Sequence, residues 1–221
     1  MTQTDPAGNV SAPVTLSASD DLDGDGVTDA MEKGAPNGGD GNGDGIKDYL
    51  QANVLSVLNA YSTAYITLEL PSTGDCSKVV SYAVNKENQI AKQDSAYDYP
   101  VGLLNFKLKC SGVATIKQFW YGLQLTTTFI ARKYQTTTGA YKTLSNVNIS
   151  KTASSLVFNY QIQEGSSLDD SPAGDGYVVD PIGPAVPAAT TANTGADYML
   201  MMVGLVMIVG MSTVVIKKKY L

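Results

Sequence analysis

The run VATIKQFWYG, residues 113–122, is rich in β-branched and aromatic side chains and closes on a glycine, so it reads as a β-strand. Six further runs share that character: AYITLEL (64–70), SKVVSYAV (77–84), LLNFKLK (103–109), LQLTTTFIA (123–131), YKTLSNVNIS (141–150) and SLVFNYQIQ (155–163). From Tyr65 onward the period is two, and Gly, Pro, Asn, Ser and Asp separate the runs. About seven short strands with no helical pattern between them predict a mainly β chain, with an antiparallel β-sandwich over residues 53–181. Trp120, Phe119, Phe129 and Phe158 are assigned to the core or the sheet faces. An aromatic strip that binds carbohydrate is the alternative these rings leave open.

Upstream of the strands the character changes. Residues 1–19 are mostly small and polar and read as a linker. Residues 20–52 carry DLDGDGVTDAMEKGAPNGGDGNGDGIKDYLQ, which places carboxylates at alternate positions on a glycine-rich backbone. Set on a twelve-residue calcium loop, Asp21, Asp23 and Asp25 take positions 1, 3 and 5, and Gly26 takes the sharp turn. Val27 then supplies the backbone carbonyl, Asp29 takes position 9 and Glu32 closes at position 12. A hard cation of this size takes six to eight oxygens at about 2.4 Å, and alternate residues of a tight loop can all point inward. The pattern recurs with Asp40, Asn42, Asp44, Ile46, Asp48 and Gln51. Asn42 and Gln51 replace carboxylates there, so weaker binding is expected at the second loop. Only KGAPNGG separates the two, too short and too rich in Gly and Pro for the helices of an EF-hand. Without calcium the crowded carboxylates should repel and leave the segment disordered. After it, Leu50, Val54, Val57 or Leu58, and Tyr61 fall at helical spacing and predict a short helix.

Composition narrows the chemistry. The chain has no histidine and only Cys76 and Cys110, which removes His-based acid–base catalysis, His-dependent nucleophilic sites and His or multi-Cys zinc sites. No enzymatic activity is expected. The uncharged run from Met199 to Ile216, followed by Lys217, Lys218 and Lys219, would span about 27 Å as a helix, enough for a bilayer core. Residues 198–221 are therefore expected to be one C-terminal transmembrane anchor with a cytoplasmic lysine tail. Without those lysines the chain has 12 basic and 21 acidic residues, a net charge of −9 that repels nucleic acid and attracts cations. An exported chain needs a signal that MTQTDPAGNVSAPVTLSASD lacks, so the sequence is expected to be the later part of a longer protein or to start at the wrong place. Outside the cell, Cys76 and Cys110 are expected to pair, with a free buried pair as the alternative. Residues 165–180 read as an acidic loop and residues 182–197 as a Pro/Ala/Thr-rich spacer.

Together, NGGDGNGDGI, YPVGLLNFKL and VVDPIGPA resemble the choice-of-anchor U domain of bacterial surface proteins over about residues 20–187. That resemblance implies an exported β-rich module before a C-terminal anchoring signal, without enzymatic activity. TANTG, residues 191–195, followed by an apolar run and a basic tail, also resembles a sortase sorting signal with cleavage between Thr194 and Gly195. Covalent attachment to the wall and a retained membrane anchor both remain open. The expected function is a noncatalytic, calcium-stabilised cell-surface module joining an upstream exported domain to that anchor. An adhesin or carbohydrate-binding module and a dockerin-like docking module are the alternatives.

Overall fold

A computed structural model describes residues 20–188 of the chain, which are mainly β with antiparallel sheets. One sheet runs in the order β1 (Val54–Leu58), β2 (Tyr65–Glu69), β6 (Val113–Tyr121), β10 (Ser155–Gln163) and β9 (Val147–Lys151). The other runs β3 (Lys78–Asn85), β5 (Leu103–Lys109), β11 (Tyr177–Pro187), β7 (Ile130–Gln135) and β8 (Ala140–Thr143), with β4 (Tyr97–Asp98) paired to β11. Both sheets contribute to one buried core, in a sandwich-like arrangement. Ile66, Leu68, Ile116, Trp120, Leu156 and Phe158 come from the first sheet, and Leu104, Phe106, Leu108, Val178 and Ile182 from the second. Trp120 and Phe158 pack as tilted rings 5.9 Å apart between centroids, and Phe119 and Phe129 are buried as well.

The strand that opened the reading is central to its sheet. Ala114, Ile116 and Trp120 of β6 face the shared core, while Phe119 and Tyr121 join Val157 and Tyr65 in a second apolar cluster on the outer face. Both faces of β6 are therefore covered near its C-terminal end. The cover on that outer face is the acidic segment, through contacts described below.

Several expectations change. The helix predicted across Leu50 to Tyr61 is instead a single 3-10 turn at Asp48–Leu50 followed by β1. Val54, Leu55, Ser56 and Val57 are all buried, so the two-residue period is masked and chance helical spacing is left in its place. LQLTTTFIA is a loop until Ile130, and YKTLSNVNIS breaks into β8 and β9.

The boundary at residue 181 is also corrected, because the first residues of the expected spacer are strand. β11 continues through Pro187 and lies in the interior of its sheet, with Ile182 and Ala185 fully buried. Prolines argue against a central strand because they cannot donate to a ladder. β11 accommodates Pro181 and Pro184 by changing neighbours: Tyr177–Ile182 pair with β5 and Ile182–Ala185 with β7. Each proline thus pairs on one side only.

Cys76 and Cys110 form a disulfide that ties the entry to β3 to the exit from β5. Among the described residues no helix is long and apolar enough to cross a membrane. The expected anchor over 198–221 and the cleavage position at Thr194 and Gly195 lie outside the described residues, as does the linker over 1–19.

Candidate metal centre

The first loop is held in shape by its own backbone. Asp21 accepts from the amides of Gly24 (2.8 Å) and Gly26 (3.1 Å), Asp23 from Asp25 (3.2 Å) and Asp25 from Val27 (2.7 Å). Gly26 adopts a φ of 98°, the left-handed turn that a β-carbon would oppose, as the sharp-turn position requires. These turns bring oxygens of Asp21, Asp23 and Asp25 within 4.8 Å of one another. Thr28 then caps a single helical turn, α1 (Asp29–Glu32), whose last residue, Glu32, is buried and feels the charge of Asp25 but is not part of that three-carboxylate group.

Three anchors fix the loop to the sheets. Val27 is 1% exposed and belongs to the shared core, so the residue that offers the position-7 carbonyl also supplies an apolar plug. Glu32, equally buried, accepts from the amide of Ser56 on β1 at 3.1 Å through one carboxyl oxygen. Tyr65 of β2 donates to the carbonyl of Met31 at 2.8 Å.

What remains is a set of oxygens without partners. Asp23 Oδ2, Asp25 Oδ2 and Glu32 Oε2 are buried and accept no hydrogen bond. Burial, reinforced by the neighbouring acidic groups, pushes the Asp25 carboxyl up to about 8 and that of Glu32 up to about 9. Burial likewise raises Asp23 above the ordinary carboxylate range. A buried carboxylate without a donor is costly, and a divalent cation is the group that would satisfy several at once. The donors fit calcium: hard oxygens only, from Asp21, Asp23, Asp25 and Glu32, with the Val27 carbonyl at the seventh position.

Asp29 stands apart from that cluster. Its carboxylate accepts from the amide of Leu22 at 2.8 Å and pairs with Lys33 at 3.1 Å, bracing the loop from outside. Asp48 holds the same position in the second loop and behaves the same way, accepting from the Gly41 amide at 2.8 Å. Position 9 therefore closes each loop against its own second residue.

The second loop lies against the outer face of the first sheet. Its turns repeat those of the first: Asp40 accepts from Gly43, Asp44 and Gly45, and Asp44 accepts from Ile46. Asn42 and Gln51 direct their amide nitrogens to Asp44, at 3.1 and 3.3 Å. Every carboxylate oxygen of Asp40, Asp44 and Asp48 thus accepts a hydrogen bond within the protein, unlike the first loop. Between the loops, α2 (Pro36–Gly39) is one irregular turn with left-handed Asn37 and Gly38.

Residues outside the motif complete the site, and Ser56 is foremost among them. Its amide serves Glu32 of the first loop and its hydroxyl donates to Asp48 of the second at 2.6 Å, with Thr67 Oγ1 equally close. Tyr121 of β6 donates to the Gly41 carbonyl at 2.7 Å. The signal for Ser56 lies in VLSVL: read at period two, its lone polar residue falls on the face opposite Leu55 and Val57. Comparison with protein-family models, with curated proteins and with solved structures returned no match.

Proposed function

We propose that the chain is a noncatalytic cell-surface module whose fold is completed by calcium, bound first in the loop from Asp21 to Glu32. The observation that carries this reading is the trio of buried, unpartnered oxygens on Asp23, Asp25 and Glu32 beside the clustered carboxylate of Asp21. A site that only needed acidic solubility would leave those groups in water. When bound, the cation supplies charge neutralisation and cross-links the loop; it performs no reaction.

The second loop lacks an unsatisfied oxygen and two of the acidic donors, which supports weaker binding there. Ser56 touches both loops, so ordering the first favours the geometry of the second. The acidic segment is packed on the sheet through Val27, Ser56, Tyr65 and Tyr121, which makes it part of the β domain and suits a load-bearing joint better than a detachable docking arm. The resemblance to choice-of-anchor U domains and the apolar, lysine-terminated tail support a place at the bacterial surface, with an upstream exported domain carried on this module.

Calorimetric titration of the full chain with calcium tests the reading. Binding heat accompanied by a rise in melting temperature is expected, and Asp25→Ala should weaken the tighter site by more than about 100-fold, beyond the range typical of residues that only support a ligand. Absence of calcium-dependent heat and of any thermal shift would sink it.

A further inference from the structure

Far from the acidic segment, Lys133 of β7 and Asp180 of β11 meet inside the shared core. Both are 0% exposed, and Lys133 Nζ lies 3.0 Å from Asp180 Oδ1. Tyr160, reaching across from β10 in the opposite sheet, donates its hydroxyl to Asp180 Oδ2 at 3.0 Å. The Lys133 ammonium also donates to the carbonyl of Leu168. Val178 and Ile182 alternate with Asp180 on β11, Ala131 with Lys133 on β7, and Phe158 and Ile162 with Tyr160 on β10, and all of them are buried in the shared core.

A dehydrated ion pair gains from attraction about what it loses in hydration, and only good geometry tips the balance. Here the Lys133 nitrogen and the Asp180 carboxyl group are in direct contact at 3.0 Å, with the Tyr160 hydroxyl on the other carboxyl oxygen, so the two groups that would form an amide already adjoin.

We propose that Lys133 and Asp180 condense into an intramolecular amide, with Tyr160 positioning the carboxyl group for attack. The ammonium first passes a proton to the carboxylate, and the burial that raises the Asp180 pKa favours this neutral pair. The Nζ lone pair then forms a bond to Cγ. The hydroxyl of Tyr160 donates to Oδ2 as charge develops on it, in the manner of an oxyanion donor. The Cγ–Oδ1 bond breaks, and Oδ1 leaves as water carrying the carboxylic proton and one proton from nitrogen. An amide carrying one hydrogen remains, and no oxidant, reductant or co-substrate is consumed. The fold holds the reacting groups together, which is the situation in which effective molarities become very large. The product is uncharged, so the cost of burying two ions disappears. It also ties β11, the last strand described, covalently to β7, its neighbour through Ile182 and Lys133.

Peptide mapping of the disulfide-reduced full chain by mass spectrometry is the test. A branched peptide joining Lys133 to Asp180, lighter than its two linear parts by one water, is expected in the wild type. Lys133→Met should give only linear peptides, and Tyr160→Phe should leave a larger fraction of the chain uncross-linked. Linear peptides alone from wild-type protein that melts cooperatively would mean a plain buried ion pair and overturn the proposal. Equal cross-linking in Tyr160→Phe would overturn the tyrosine's part in it.

Discussion

Asp25 and Glu32 carry the largest electrostatic burden of the acidic segment. Their carboxyl groups ionise at about 8 and about 9 in the folded, metal-free chain, against 3.8 and 4.5 ordinarily, with burial the first cause in both. Burial moves Asp48 less, to about 6, because Ser56 and the Gly41 amide stabilise its charged form. Folded-state values above the ordinary ones contribute stability that is whole at acid pH and is lost as pH rises through about 8 and 9. With calcium chelated, the melting temperature should therefore fall between about pH 5 and about pH 9. Saturating calcium should remove most of that fall, and Asp25→Asn should flatten the chelated profile. A chelated profile that climbs over the same range would count against the burial of these carboxyls. The grouping of Asp21, Asp23 and Asp25 at this scale was legible from spacing alone, since alternate residues of a tight loop point inward together. The bracing role of Asp29 and Asp48 was not, because the pattern records which residue occupies a position and not which way its oxygens turn.

At the scale of elements, the second loop depends on one small residue. Gly41 sits where a β-carbon would overlap Thr67 Oγ1 and come within 2.7 Å of Ser56 Oγ and 2.9 Å of Asp48 Oδ2. Gly41→Ala should cost about 1–3 kcal/mol by overpacking, read as a lower denaturation midpoint with an unchanged slope. An unaffected midpoint would mean that the loop stands off the sheet. Because Ser56 touches both loops, the same substitution should also weaken calcium binding at the first loop, measurable by titration. The strands of both sheets illustrate which elements a sequence discloses. β2, β5, β6 and β10 keep a clear two-residue period and were read with nearly their observed bounds. β1 is buried on both faces and looked helical, while β11 carries three prolines and looked like the end of an acidic loop followed by a spacer. Both misreadings arise where a strand is covered on two sides or changes partners midway, which alters the local pattern without altering the fold.

For the molecule as a whole, distant constraints reinforce the sheets. The Cys76–Cys110 disulfide spans a sequence separation of 34, and on the chain-entropy model Cys76→Ser should cost about 3–4 kcal/mol of stability. Chemical denaturation of the calcium-saturated chain would measure this; a loss near zero would indicate that the bridge adds no constraint to the unfolded chain. The sequence by itself determined the β character, the paired acidic loops, their unequal donor sets and the lack of any histidine chemistry, because these depend on local period and on residue type. Only the tertiary structure decided that Val27 plugs the core, that Ser56 joins the two loops, and that Lys133, Asp180 and Tyr160 meet in a dry interior. Those meetings depend on the register of strands far apart in the chain and on what each face buries, and neither quantity is carried by any short stretch of residues.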